Sequence, residues 1–266
     1  MSSRVVLRVL AFTLLSCGLI PRAASAQSAD DIASRVGTVA RTMGAVMKER
    51  RMLDGAFTFD ANRGNTDTTN LRGSIVYVHD NNPWRYSAYL SGASETKDGV
   101  TANERAGLNL ALARRLNEKV RVVLLEEIVH APIDGYKARN LFGGMAVWTP
   151  QVSDRAETGL YAGAGWQHEQ FTTNQPDADY GALLAGATSS IKLSPTATLN
   201  LVGSYTQDMA EADNYKLGSS IALIAAINSV LGVHLSYALA YDHAPVAGKV
   251  HTNNSFGAGL TIKWRR

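Results

Sequence analysis

From Gly55 onward, apolar and polar positions alternate along most of the chain with period 2, the pattern of strands that bury or expose one apolar face. The last segment shows it plainly. Phe256, Ala258, Leu260, Ile262 and Trp264 share one face, and Ser255, Gly257, Gly259, Thr261 and Lys263 share the other. The same rule marks Tyr215, Leu217, Ser219, Ile221, Leu223, Ala225 and Ile227, then Val233, Leu235, Tyr237, Leu239 and Tyr241, and also Ala106, Leu108, Leu110 and Leu112. In all, the pattern predicts strands over residues 55–63, 69–79, 84–92, 103–113, 120–129, 138–148, 155–167, 180–192, 197–207, 214–227, 233–242 and 253–264. The fifth is the weakest, because Glu126 and Glu127 break its phase. Ser220 to Leu239 is apolar enough to mimic a spanning helix, but Asn228, Ser229, Gly232, His234 and Ser236 divide it into a hairpin.

Strands of about ten residues suit a tilted membrane crossing. Short connections (81–83, 114–119, 149–154, 193–196, 228–232) alternate with longer ones (93–102, 130–137, 168–179, 208–213, 243–252), as periplasmic turns alternate with outer loops. Only the hairpin around 64–68 departs from that rule. The aromatics sort in the same way. Trp84, Trp148 and Trp264 fall beside the short turns; Trp166, Tyr180, Tyr205, Tyr215 and Tyr241 fall beside the long loops. Two aromatic belts are what amphipathic rings form at the two faces of a bilayer. The expected fold is all-β, a transmembrane antiparallel up-and-down β-barrel of twelve strands.

The N-terminus reads as an export signal. Arg4 and Arg8 precede an apolar run from Val9 to Ile20, and Ala24-Ser25-Ala26 gives a small-residue cleavage site. Leu14-Leu15-Ser16-Cys17 is the competing lipoprotein reading, which the later and better cleavage site opposes. After the signal, Ile32, Val36, Val39, Met43 and Val46 mark a short amphipathic helix over about 29–52. It is expected to pack at the barrel mouth, to plug the lumen or to oligomerise. The expected organisation is therefore a signal peptide at 1–26, a periplasmic helix at 27–53 and an outer-membrane barrel at 54–266. Removing residues 1–26 takes away Arg4, Arg8 and Arg22 and no acid, so the formal charge of +3 falls to near neutrality. That argues against a nucleic-acid partner. Cys17, the only cysteine, leaves with the signal, and thiol chemistry leaves with it.

Three segments occur in order: Gly64-Asn65-Thr66-Asp67-Thr68-Thr69-Asn70-Leu71, then Ala162 to Phe171 around Gly165-Trp166-Gln167-His168, then Asp213-Asn214-Tyr215-Lys216-Leu217. On these the chain, from about Gly55 to Trp264, resembles the YdiY-like family of Gram-negative outer-membrane proteins, a family of unknown function whose namesake is described as salt-induced. The resemblance implies a β-barrel and a link to osmotic or salt stress, and it carries no catalytic or ligand residues. The Arg265-Arg266 tail departs from the usual aromatic ending, which bears on how the barrel-assembly machinery reads the C-terminus.

No serine-hydrolase elbow, zinc-protease motif or phosphate loop occurs. No cofactor and no metal set is expected. Asp242, His243 and Ser255 are the only acid, base and hydroxyl worth weighing for a surface lipid or lipopolysaccharide hydrolase. Eleven acids gather on the long-loop side (Asp67, Glu95, Asp98, Asp134, Glu169, Asp177, Asp179, Asp208, Glu211, Asp213 and Asp242), opposed there by Lys97, Lys137 and Lys249. They form either a plain solvated surface or a cation-concentrating vestibule that meets lipopolysaccharide. The predicted inner face carries Asp60, Arg72, Arg85, Arg105, Arg121, Glu157 and Lys263 as candidate pore-lining charges, which either line water or pair across a filled lumen. The expected role is a narrow pore or a structural envelope protein in contact with outer-membrane lipid. A hydrolase and an adhesin are the alternatives.

Overall fold

The structure, a computed structural model, describes residues 51–62, 68–247 and 249–265; the side chains at 58–62, 68, 102, 103, 133, 255 and 263–265 fall outside that description. Twelve antiparallel strands close on themselves: β1 (Arg51–Asn62), β2 (Thr68–Asn81), β3 (Trp84–Lys97), β4 (Val100–Arg115), β5 (Val120–Ala131), β6 (Tyr136–Val152), β7 (Ala156–Phe171), β8 (Ala178–Lys192), β9 (Ala197–Asp208), β10 (Tyr215–Ala226), β11 (Leu231–Asp242) and β12 (Thr252–Arg265). Closure comes from β1 pairing β12, with Leu53 opposite Trp264 and Asp54 opposite Lys263. Every strand thus has two partners, and no edge is left to meet lipid with unpaired backbone. Among the described residues no helix is long and apolar enough to cross a membrane. The crossing is made by strands.

The side chains obey the period-2 rule in an inverted sense. Outward positions such as Leu90, Leu124, Phe142, Leu183, Leu235, Phe256 and Leu260 are exposed and apolar, while inward positions are buried or half-buried. β5 alternates without a break, so Glu126 points out and Glu127 points in. The adjacent pair that made this strand look irregular in sequence is regular in space.

The short turns repeat one device. Asn117 Oδ1 accepts from the Lys119 and Val120 amides, and Asn228 Oδ1 from those of Val230 and Leu231. Ser153 Oγ accepts from Ala156 and Ser194 Oγ from Ala197. These side chains satisfy turn amides that the ladder leaves free.

Strand lengths differ from the sequence expectation on the outer side. The predicted loop at 93–102 is instead a hairpin carried out to Lys97 and Val100, closed by Asp98 (φ 51°) and Gly99 (φ 79°). Two positive φ values in succession are the geometry of a tight hairpin turn, and glycine occupies the second at no steric cost. Three other outer connections shorten too, to 132–135, 172–177 and 243–251, while the fourth keeps its six residues at 209–214. The asymmetry of loop length is therefore milder than predicted. β1 begins at Arg51, so Arg51 and Met52 are strand where the sequence suggested the end of a helix. The rest of that helix and the signal segment lie outside the described residues.

Candidate functional site

The interior of the barrel has two unlike walls. On the inner face of β4 to β8, Val123, Leu125, Leu141, Met145, Val147, Tyr161 and Leu184 form one buried apolar cluster. Tyr161 lies flat over Gly186, where any Cβ would overlap the phenol, and its hydroxyl donates to the Gly203 carbonyl at 3.3 Å. Glycine at 186 is what lets the ring lie against the wall. The opposite wall, β10 to β12 with β1 to β3, turns small residues inward. Ser220, Ala222, Ser236, Gly259, Ala56, Ser74 and Ser91 all keep partial exposure although they face the lumen. One wall is closely packed; the other is leaner and keeps several of its inward residues partly exposed.

Polar clusters lie above and below the apolar wall. Above it, Glu169 accepts from Lys216 Nζ (2.8 Å), Tyr180 Oη (3.0 Å) and Gln167 Nε2 (2.5 Å). Lys216 also stands 3.9 Å from the Asp242 carboxylate and 3.5 Å from the Tyr136 hydroxyl. Glu127 meets Arg139 at 3.4 Å, and Asp134 meets Arg105 at 2.7 Å. Burial makes such pairs mutually dependent, because removing one partner strands the other charge in a poorly solvated site. Below the wall, Arg85 grips Asp80 through Nε (2.9 Å) and through a shorter Nη2 contact, and Arg115 shares the same carboxylate at 3.8 Å.

The outer mouth is crossed by the chain itself. The connection from β11 to β12 folds inward and places Val246, 6 % exposed, against Gly135 between β5 and β6. Those connections stand on opposite sides of a ring of twelve, so the segment works as a strap over the lumen. Gly135 (φ 92°) takes a backbone conformation other residues resist, and a Cβ there would press on the Val246 methyls.

Of the charges proposed from sequence, Arg85, Arg105 and Arg121 are buried on the inner face, and Arg72 and Glu157 are half-buried there. Asp60 and Lys263 belong to β1 and β12 by backbone, but their side chains lie outside the described residues. Sequence reasoning missed Arg139, Lys216, Glu127 and Tyr136, the heart of the upper cluster. It therefore overcounted the free acids of the vestibule: Asp134, Glu169 and Asp242 face cations, and Asp179 accepts at Oδ1 from the Trp166 indole and faces His168 Nδ1.

Among the aromatics, Trp84, Trp148, Trp166 and Tyr205 stand exposed on the outer face. Tyr215 and Tyr241 share that face, half-buried, with His243 stacked on Tyr215 at 4.6 Å. Trp264 pairs Leu53 by backbone, its ring outside the description. Tyr180 is a correction. It was placed in the outer belt, yet it points inward to Glu169, because its depth matches the belt but its strand parity does not.

The hydrolase constellation does not assemble. Asp242 turns inward to Lys216 and caps the Ala244 amide, whereas His243 is held outside by Tyr215 and by Tyr241 Oη at 2.8 Å from its Nδ1. Ser255 pairs Ala238 in the ladder, four positions down β11 from Asp242. Four strand residues span about 13 Å, well beyond hydrogen-bond reach. Among the described residues no group of three or more His, Cys, Asp or Glu is placed to hold a metal ion.

Solved barrels share the architecture. The chain superimposes on the NanC porin with a TM-score of 0.50 at 10% identity, covering 80% of this chain and 100% of the porin. It superimposes on an outer membrane channel from Pseudomonas putida F1 with a TM-score of 0.50 at 13% identity, covering 83% of this chain and 97% of the channel. At such identities the likeness concerns the fold, which is that of an outer-membrane β-barrel. No curated protein matches the chain. A family model described as "Protein of unknown function, DUF481" matches residues 55–264, nearly the whole span of the barrel, and the chain belongs to that family.

Proposed function

We propose that the protein is a non-enzymatic outer-membrane channel: a narrow, off-centre passage for small hydrophilic solutes. The passage runs along the lean wall, past Ser74, Ser91, Ser220 and Ser236, and beside the strap at the outer mouth. The observation that carries this reading is the lopsided interior. A purely structural barrel would gain by filling both walls, since each fully buried aliphatic side chain contributes roughly 1.5–3 kcal/mol. Here one wall is filled, and the other turns in mainly small residues around a few larger ones such as Val76, Val78, Tyr89 and Ile224.

Exposed Asp98, Asp177, Asp179, Glu211 and Asp213 around the outer mouth outnumber exposed Lys97, Lys137 and Lys249, which favours cations at the entrance. The resemblance to a salt-induced family extends the proposal to osmotic or salt stress, in an outer membrane where lipopolysaccharide surrounds the barrel and the barrel-assembly machinery inserts it.

Single-channel recording of the refolded mature chain across a planar bilayer tests the core of this. Small discrete steps with a cation-biased reversal potential under a salt gradient are expected. A folded protein that passes no current overturns the channel. Growth of a deletion strain in high salt tests the stress role separately, and unimpaired growth removes it.

A further inference from the structure

Glu126 lies on the outward face of β5, exposed, between outward Leu124 and Ile128 and flanked in the ladder by Leu110 and Phe142. Its depth follows from the register. Val120, at the base of β5, pairs Trp148 of the lower aromatics, and Phe142, beside Glu126, pairs Trp166 of the upper ones. Six residues at about 3.3 Å each, tilted by roughly 40°, lift Glu126 about 15 Å above Val120. In an apolar band about 25 Å tall, that is near the middle. No hydrogen bond or ion pair ties Glu126 to any described residue. Beside it runs an outward-facing apolar groove of about 400 Å³, walled by Tyr77, Tyr86, Ala88, Leu110 and Leu124.

A carboxyl group at mid-bilayer needs a polar partner, and lipid chains at that depth have none to offer. Another protein surface at that depth supplies one directly. Two copies related by a two-fold axis along the membrane normal place every residue opposite a residue at its own depth. Such an axis beside β5 brings Glu126 to Glu126, where two carboxyl groups sharing a proton satisfy each other. The same rotation carries the β6–β7 side of one barrel onto the β3–β4 side of the other. Trp148 and Leu160, exposed on β6 and β7, stand at the depth of Tyr77 and Tyr86 and would fill the groove as knobs. We propose that this face, centred on Glu126, is a homodimer interface within the membrane.

The test keeps the full mature chain and reads its oligomeric state by single-molecule photobleaching in lipid vesicles, with heat-modifiable gel mobility confirming that each variant is folded. Wild type is expected to be dimeric. Glu126→Leu should raise the dimer dissociation constant at least tenfold, and Glu126→Gln, whose amides still hydrogen-bond to each other, should lose much less. In native outer membranes Leu124→Cys should form a disulfide dimer on oxidation, while Leu223→Cys, outward on the far wall, should not. A monomeric wild type overturns the proposal, as does a dimer indifferent to Glu126→Leu. Capture of a different polypeptide at position 124, with the purified chain monomeric, also overturns it.

Discussion

The two inner walls are built from the same kind of strand and differ in what they turn inward. β4 to β8 turn in branched and aromatic side chains that pack on one another over the middle of the barrel, with buried polar residues such as Asn109, Glu127 and Arg139 beside them. β10 to β12 and β1 to β3 turn in more serine, alanine and glycine, among larger residues such as Val76, Val78, Tyr89 and Ile224, and Ser220, Ala222 and Ser236 there keep partial exposure. Both walls satisfy the backbone equally through the closed ladder, so the contrast is one of side-chain volume. A closed barrel holds its shape through hydrogen bonding around the ring, which frees one wall from the need to pack.

That contrast can be broken most severely at the strut between the walls. Lys216→Met leaves buried Glu169 and half-buried Asp242 without that cation and should cost about 4 kcal/mol, seen as an earlier midpoint in urea unfolding. Next comes the filled wall. Leu125→Ala opens a cavity in the apolar cluster and should cost about 3 kcal/mol by the same assay, whereas Ala222→Leu on the lean wall should change stability by less than about 1 kcal/mol yet at least halve the conductance. Thiol labelling sharpens the line between the walls. In the chain from residue 27 on, which carries no native cysteine, Ser220→Cys and Ser236→Cys should react with a charged aqueous reagent at least tenfold faster than Ala182→Cys, which is fully buried. Equal rates would erase the distinction. The smallest effect belongs to the strap. Val246→Ala should cost about 1 kcal/mol while raising the open-channel current and its flicker.

Much of the barrel was legible in the sequence because a membrane strand must be apolar on its lipid face. That requirement gave strand number, order and the inward or outward parity of Arg85, Arg105 and Arg121. It fails where lipid ends. Ser94, Glu95, Thr96 and Lys97 extend β3 into water, where neither face need be apolar, so period 2 vanishes and the hairpin looked like a loop. Tyr180 was misplaced because a belt rule reads depth and ignores facing. The upper cluster was illegible for another reason. Lys216 meets Glu169 from 47 positions away, and no local pattern announces which distant strands will share a lumen.

The strap over the mouth has a consequence for how such a barrel can change. Its contact with Gly135 is made by a connection and takes no hydrogen bond from the ladder. In the proposed channel, replacing residues 243–251 with a shorter or longer segment would reset the size limit for solutes while leaving strand register and closure untouched. If the barrel conducts as proposed, sieving and assembly are thereby separable properties, and relatives with the same barrel are free to diverge in what they let through.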